Sequence, residues 1–359
     1  MKDNSISIAK GIGIILMLIG HAGCPGQLGS FIYIFHMPLF FFLSGYCFKE
    51  RHLNNFKDFA TKRIKGIYLP FIKYSLLFLL LHNIFYHLNI YNDVYGYNGA
   101  VSQLYDFNHF VKRATKIVTE MNREEQLLGG FWFLRVLFCT SFLGYAFLRF
   151  IRNSKVQIIT LVLVCIGVIF LAPHQTRTIY IQTLHLSFFA LIFFIAGKET
   201  AKLQQFKPNN IYINSLVTLI FFSGTLLISL FYPSGMTTDK NIIIYTIGAL
   251  FGILMTKSLS NYIQHIPYIN KILVYIGNNT LPILAWHLLC FKLISLLIIH
   301  INNLPIENLA HFPVIPDYSK QGWWIAYTIV GLCVPLTMTF CSQHITEKIK
   351  IIVSKRNHD

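Results

Sequence analysis

The chain has 359 residues, of which 54% are hydrophobic and only 12% are charged, against about 25% charged in an ordinary soluble domain. Its mean hydropathy is +0.54, and apolar runs long enough to span a bilayer recur along the whole length. This excludes a soluble domain with one anchor and predicts an all-α, polytopic integral membrane protein. The net charge of +16 reads as basic cytoplasmic loops, not as a nucleic-acid footprint, because no contiguous basic-aromatic patch accompanies it.

Hydrophobic patterning predicts about ten transmembrane helices, over roughly 5–23, 31–48, 68–90, 131–150, 156–173, 178–197, 211–231, 242–258, 280–301 and 323–344. The first run lacks a small-residue cleavage site and leads straight into the second, so it reads as a span and not as a signal peptide. An even number of spans puts both termini on one side. Segments on that side hold nineteen Lys and Arg residues and the opposite loops hold seven, which predicts that both termini are cytoplasmic. No internal repeat or low-complexity linker appears, so 1–359 reads as a single membrane domain in a plasma or inner membrane. The seven cysteines form no C-x-x-C pair and lie mostly in apolar runs, as small packing residues do.

The first two spans carry the densest chemistry. Lys10 and His21 are eleven residues apart in span 1. On a helix that spacing returns to the same face within about 20°, with a rise of about 16 Å. The segment Gly23–Gly29 is short enough to force an antiparallel hairpin, which brings His36 of span 2 to the depth of His21. Pro38 is predicted in the first turn of span 2, where its missing N–H is harmless. Ionisable groups inside a bilayer are functional candidates by default. A neutral imidazole accepts a hydroxyl proton near pH 7, and a second one orients it or donates to an oxyanion. Metal binding is not expected: it needs three or four ligands, no H-x-x-x-H occurs, and the spans carry no acidic residues.

The basic run Lys62-Arg63-Ile64-Lys65 precedes span 3. The segment 91–130 is predicted as an outer loop, opening with Tyr91, Tyr95, Tyr97 and Asn98. Within it Phe110, Val111, Ala114, Val118 and Met121 fall at helical spacing, which suits an interfacial amphipathic helix. The alternatives for this segment are a plain connector and a lid over a polar substrate. Trp132 reads as a sugar-stacking face or as part of the interfacial aromatic belt. Arg135, one turn into span 4, meets an acceptor or snorkels. His287 follows an Asn278-Asn279 helix start, and Asn279 is grouped with it on the acceptor side. Lys292, near mid-membrane, is predicted to face a polar cavity. His82, His87 and His185 read as structural.

The Lys10-x10-His21 spacing, the string Phe35-His36-Met-Pro-Leu-Phe-Phe-Phe-Leu-Ser-Gly45 and the entry Lys62-Arg63-Ile-Lys65-Gly-Ile-Tyr-Leu-Pro70 resemble acyltransferase family 3, the integral-membrane O-acyltransferases. Gly130-Phe-Trp132-Phe-Leu134 and Gly277-Asn-Asn-Thr-Leu-Pro-Ile-Leu-Ala-Trp-His287 are similar to the fucose 4-O-acetylase-like branch. The resemblance implies acetyl-CoA as a cytoplasmic acyl donor and a glycan or glycolipid hydroxyl as acceptor, in a polysaccharide of the cell envelope. It makes His21 the catalytic histidine and His36 the second motif histidine. Lys10, Lys62, Arg63 and Lys65 become donor-binding cations, with Gly66 where the family has the second Arg of an Arg-x-x-Arg pair. The competing readings are a glycan or small-solute transporter and a non-catalytic receptor; the first expects repeated halves, and the second leaves the paired histidines unused.

Overall fold

In the computed structural model, residues 4–96, 101, 103–170, 178–203, 211–237 and 241–356 are described; Lys2, Tyr97, Asn98, Arg177, Lys207 and Lys240 lie outside them. Among the described residues every regular element is helical. The hairpin consists of α1 (Ser5–His21) and α2 (Gly26–Tyr46). α2 begins earlier than expected, directly after Pro25, so Pro38 is an interior residue and not a first-turn one. Packing inside a membrane bundle tolerates this, because neighbouring groups re-satisfy the freed backbone.

After α2 the chain makes α3 (Arg51–Asn54) and α4 (Phe56–Arg63), the latter capped by Asn55, whose side chain accepts from Asp58 N at 2.9 Å. A π-helical turn over Ile64–Tyr68 leads into α5 (Leu69–Leu80), and α6 (His82–His87) follows. The expected span over 68–90 is thus interrupted at Leu81. α7 (Phe107–Glu120) is the predicted amphipathic helix, but its two faces differ from the expected one. Phe110, Ala114, Ile117 and Met121 pack inward, whereas Phe107, Val111 and Val118 are exposed. His82 pins this segment inward, with Nδ1 3.1 Å from Glu125 and Nε2 3.0 Å from the Gln103 carbonyl.

A 3-10 turn over Gln126–Phe131 delivers the chain to α8 (Trp132–Phe150). Then come α9 (Ser154–Phe170), α10 (Ile179–Leu203), α11 (Ile211–Phe231) and α12 (Ile242–Ile263). An unexpected short helix, α13 (Pro267–Asn278), precedes α14 (Thr280–Ile301). α15 (Pro316–Tyr318) and the long α16 (Trp324–Arg356) close the chain. Among the described residues seven helical stretches are long and apolar enough to cross a membrane; α1 and the apolar part of α9 (Lys155–Val168) are shorter. The remaining one of the ten expected spans is the broken α5–α6 pair.

α2 is the hub, with α1, α10 and α12 packed along it, while α13 lies on α1 and α14 on α16. Two crossings depend on missing side chains. A Cβ on Gly45 would collide with the Phe194 carbonyl and one on Gly197 with the Phe42 carbonyl, so α2 and α10 touch backbone to backbone. The same holds where Gly277 of α13 meets Ser7 of α1. Close approach of this kind supplies packing where lipid offers no hydrophobic drive. The most buried long helices, α14 and α2, carry His287 and His36, while α11 is the least buried.

Candidate active site

A cavity of about 470 Å³ runs between α1, α2, the π turn, α8 and the start of α14. That is within the usual size of a small-molecule site. At one end it is lined by Lys10, Cys47, Arg63 and Gly66; at the other by His21, Tyr33, His36, Gly130 and Met236. The rise from Lys10 to His21 is about 16 Å along α1, so one continuous wall joins two cations to two imidazoles. Between them the lining is apolar, with Met17, Met37, Phe40, Phe133 and Leu137.

The hydrogen-bond network assigns the histidine tautomers. His287 Nδ1 lies 3.1 Å from the Ile283 carbonyl and 3.0 Å from the Leu284 carbonyl. A carbonyl oxygen only accepts, so Nδ1 carries the proton and neutral His287 has its lone pair on Nε2. His287 Nε2 is 2.9 Å from His21 Nδ1, so His21 Nδ1–H donates to it. That leaves the lone pair of His21 on Nε2, which has no hydrogen-bond partner among the described residues. The two rings stack with centroids 5.1 Å apart and planes at 21°. His287 is 0% exposed and does not line the cavity: it holds His21 from behind.

His36 is 3% exposed and makes a separate contact, from Nδ1 to the Ile32 carbonyl at 2.9 Å. By the same argument its Nε2 bears the lone pair. His36 is therefore not the hydrogen-bond partner of His21, and as a neutral ring it offers no proton to an oxyanion. Both imidazoles facing the cavity are acceptors. Tyr33 supplies the missing type of group. Its ring packs edge-on against His36 at 5.3 Å, and its hydroxyl sits over Gly20, next to His21, within 3.2 Å of where a Cβ would be. No hydrogen bond occupies that hydroxyl among the described residues.

The other residues singled out by sequence divide clearly. Lys10, Arg63 and Trp132 line the cavity. Lys62 does not; it is exposed and paired with Asp58 at 2.7 Å. Lys65 is exposed and also outside the lining. Arg135 turns away, its Nη1 3.5 Å from Asn122 Oδ1. Asn279 donates to the Tyr275 carbonyl at 2.8 Å and caps the junction of α13 and α14. Lys292, 2% exposed, donates to the Leu309 and His311 carbonyls at 2.8 and 2.6 Å. It anchors a loop and is not in the lining of this cavity. Among the described residues no group of three potential metal ligands assembles.

Sequence reasoning missed Tyr33 and the contact of His287 with His21. His21 and His287 are 266 residues apart, so no local spacing could have paired them. Tyr33 was legible only as the residue one turn before His36.

The sequence model of the acyltransferase domain family matches residues 3–340. The chain therefore belongs to this family, and with its seven apolar helices it is a multi-pass membrane acyltransferase. No curated protein and no solved structure matches the chain.

Proposed function

We propose that the chain moves an acetyl group from cytoplasmic acetyl-CoA to a hydroxyl of a cell-surface or secreted glycan. The single observation that carries this reading is the cavity itself, which joins the Lys10–Arg63 cations to the His21 lone pair. Two cations at one mouth suit the phosphates of the donor, and the apolar mid-section suits a thioester kept from water. We take α1, α9 and the α5–α6 pair to cross the bilayer with the seven longer stretches, so that both termini and the Lys10 mouth face the cytoplasm, as the loop charges favour. The Gly130–Leu134 and Gly277–His287 strings, with their resemblance to the fucose 4-O-acetylase-like branch, favour a sugar hydroxyl as acceptor.

In the reaction, His21 Nε2 accepts the proton of the acceptor hydroxyl as its oxygen attacks the thioester carbonyl carbon. The carbonyl π pair moves onto oxygen, and the Tyr33 hydroxyl donates to that oxyanion without losing its proton. The intermediate collapses, the C–S bond breaks, and His21 Nε2–H returns its proton to the departing thiolate. Throughout, His287 Nε2 accepts from His21 Nδ1–H and supports the imidazolium. The same unprotonated Nε2 is also the nucleophile of a relay through acetyl-His21. Rapid-quench labelling with radioactive donor and no acceptor separates the two routes, since only the relay leaves label on the protein.

The central test is mass spectrometry of surface glycans from a deletion strain. Wild-type chain restores acetyl groups and His21→Ala does not. A deletion strain whose glycans keep every acetyl group would refute the reading.

A further inference from the structure

Three residues beyond Cys47, Glu50 lines a second basin of about 300 Å³, built where α3, α8, α9 and α10 end or begin. Its charged walls are Arg149, Arg152, Lys198 and Lys202, against the single carboxylate of Glu50. The basin lies on the face that carries the Lys10 mouth, because Gly197 of α10 abuts Phe42 and Gly45 of α2 abuts Phe194 at that end of the bundle.

Lys198 is the informative residue. It is 7% exposed, yet its ammonium has one ion-pair contact, 3.5 Å from Glu50 Oε1, and the Glu50 side chain is 75% exposed. That separation is outside hydrogen-bonding range. The stem of Lys198 is buried while its ammonium opens to the hollow, with three donors and this one carboxylate near it. Lys202 is held by Glu199 at 2.7 Å. Arg149 and Arg152 are exposed and have no ion pair or hydrogen bond among the described residues. Four cations thus converge on a hollow that holds one loosely placed carboxylate. Positive loop charge alone predicts lysines and arginines spread over solvated loops; it does not predict four that line one hollow.

We propose that this basin binds a phosphate group, carried by an anionic phospholipid headgroup or by a soluble phosphate compound. Phosphate offers several acceptor oxygens for the Lys198 ammonium and matches the two free guanidinium forks. Leu53 and Leu148 give the basin its apolar lining, against which a lipid chain would lie. The proposal depends on a helical bundle in a bilayer and not on the acyl-transfer chemistry.

The test uses the full-length chain and two probes, phosphatidylglycerol, compared with phosphatidylcholine, by native mass spectrometry, and adenosine 3′,5′-bisphosphate by calorimetry. Wild type is compared with Arg149→Gln/Arg152→Gln, both surface changes, and with Lys198→Met, which keeps the buried stem. A preference for phosphatidylglycerol that drops by about tenfold or more in the variants identifies a lipid site. The same drop for the bisphosphate identifies a soluble ligand. Equal binding of both probes by wild type and variants, or no preference over phosphatidylcholine together with no bisphosphate binding, overturns the proposal.

Discussion

An imidazole in an apolar wall acts as a base only if one nitrogen keeps its lone pair, and the residues behind it decide which nitrogen that is. His287 does this for His21 through the 2.9 Å contact. His287→Ala is therefore expected to lower kcat by about 10²-fold, the low end of what general-base catalysis contributes, with the donor KM unchanged. His287→Gln keeps an oxygen able to accept from His21 Nδ1–H, and steady-state kinetics should show it recovering to within about tenfold of wild type, a recovery that bulk packing alone would not give. Tyr33→Phe removes the hydroxyl that sits over Gly20, next to His21, and should cost about 10²-fold or more in kcat. Unchanged kcat in Tyr33→Phe would remove Tyr33 from the mechanism and leave His21 in it. At this scale the sequence made the two hairpin histidines visible, because buried ionisable groups stand out in apolar spans. It gave His36 the partner's role that the fold gives to His287, because the partner comes from a helix 266 residues away.

Among the elements, the π turn and α7 lead to separate expectations. Arg63 and Gly66 both line the donor mouth, and a Cβ on Gly66 meets no atom within 4 Å. Gly66→Arg therefore adds a cation without a clash and should lower the donor KM by about three- to fivefold, the modest gain of a contact near solvent. An unchanged KM would mean that the donor phosphates do not reach this turn. At the start of α7, Asp106 accepts from the His109 backbone N–H at 2.7 Å and from its ring at 2.9 Å. The backbone hydrogen bond first, and the ring second, hold the Asp106 carboxyl below its usual value of 3.8. A depressed carboxylate pKa stabilises the capped turn above about 3.8, and that contribution fades as pH falls through the lower folded value. Protection factors at the His109 and Phe110 amides, corrected for the intrinsic pH dependence of exchange, should fall in that acid window. α7 was legible as an amphipathic helix. Which of its residues face inward was not, because periodicity shows that an apolar stripe exists, not which of two stripes meets the protein.

For the whole molecule, the cavity makes a topological claim that labelling can check. Cys47 is an exposed free thiol at the Lys10 end of the cavity. Maleimide added from the cytoplasmic side should modify it, and coenzyme A should slow that modification; tags on both termini should be accessible from the same side. Labelling from the outer face alone would invert the proposed orientation.

Composition and apolar run length determined on their own that this is a helical membrane protein, because lipid leaves a helix or a closed barrel as the only ways to satisfy a spanning backbone. The Lys10–His21 register was equally a property of the sequence, since 3.6 residues per turn fixes which side chains share a helix face. Tertiary structure decided the rest. It alone broke the 68–90 run at Leu81, turned Lys292 and Arg135 away from the cavity, and set His287 behind His21. Those outcomes depend on which distant helix supplies a carbonyl, a ring or a gap at a given depth, and spacing along one chain segment carries no information about that.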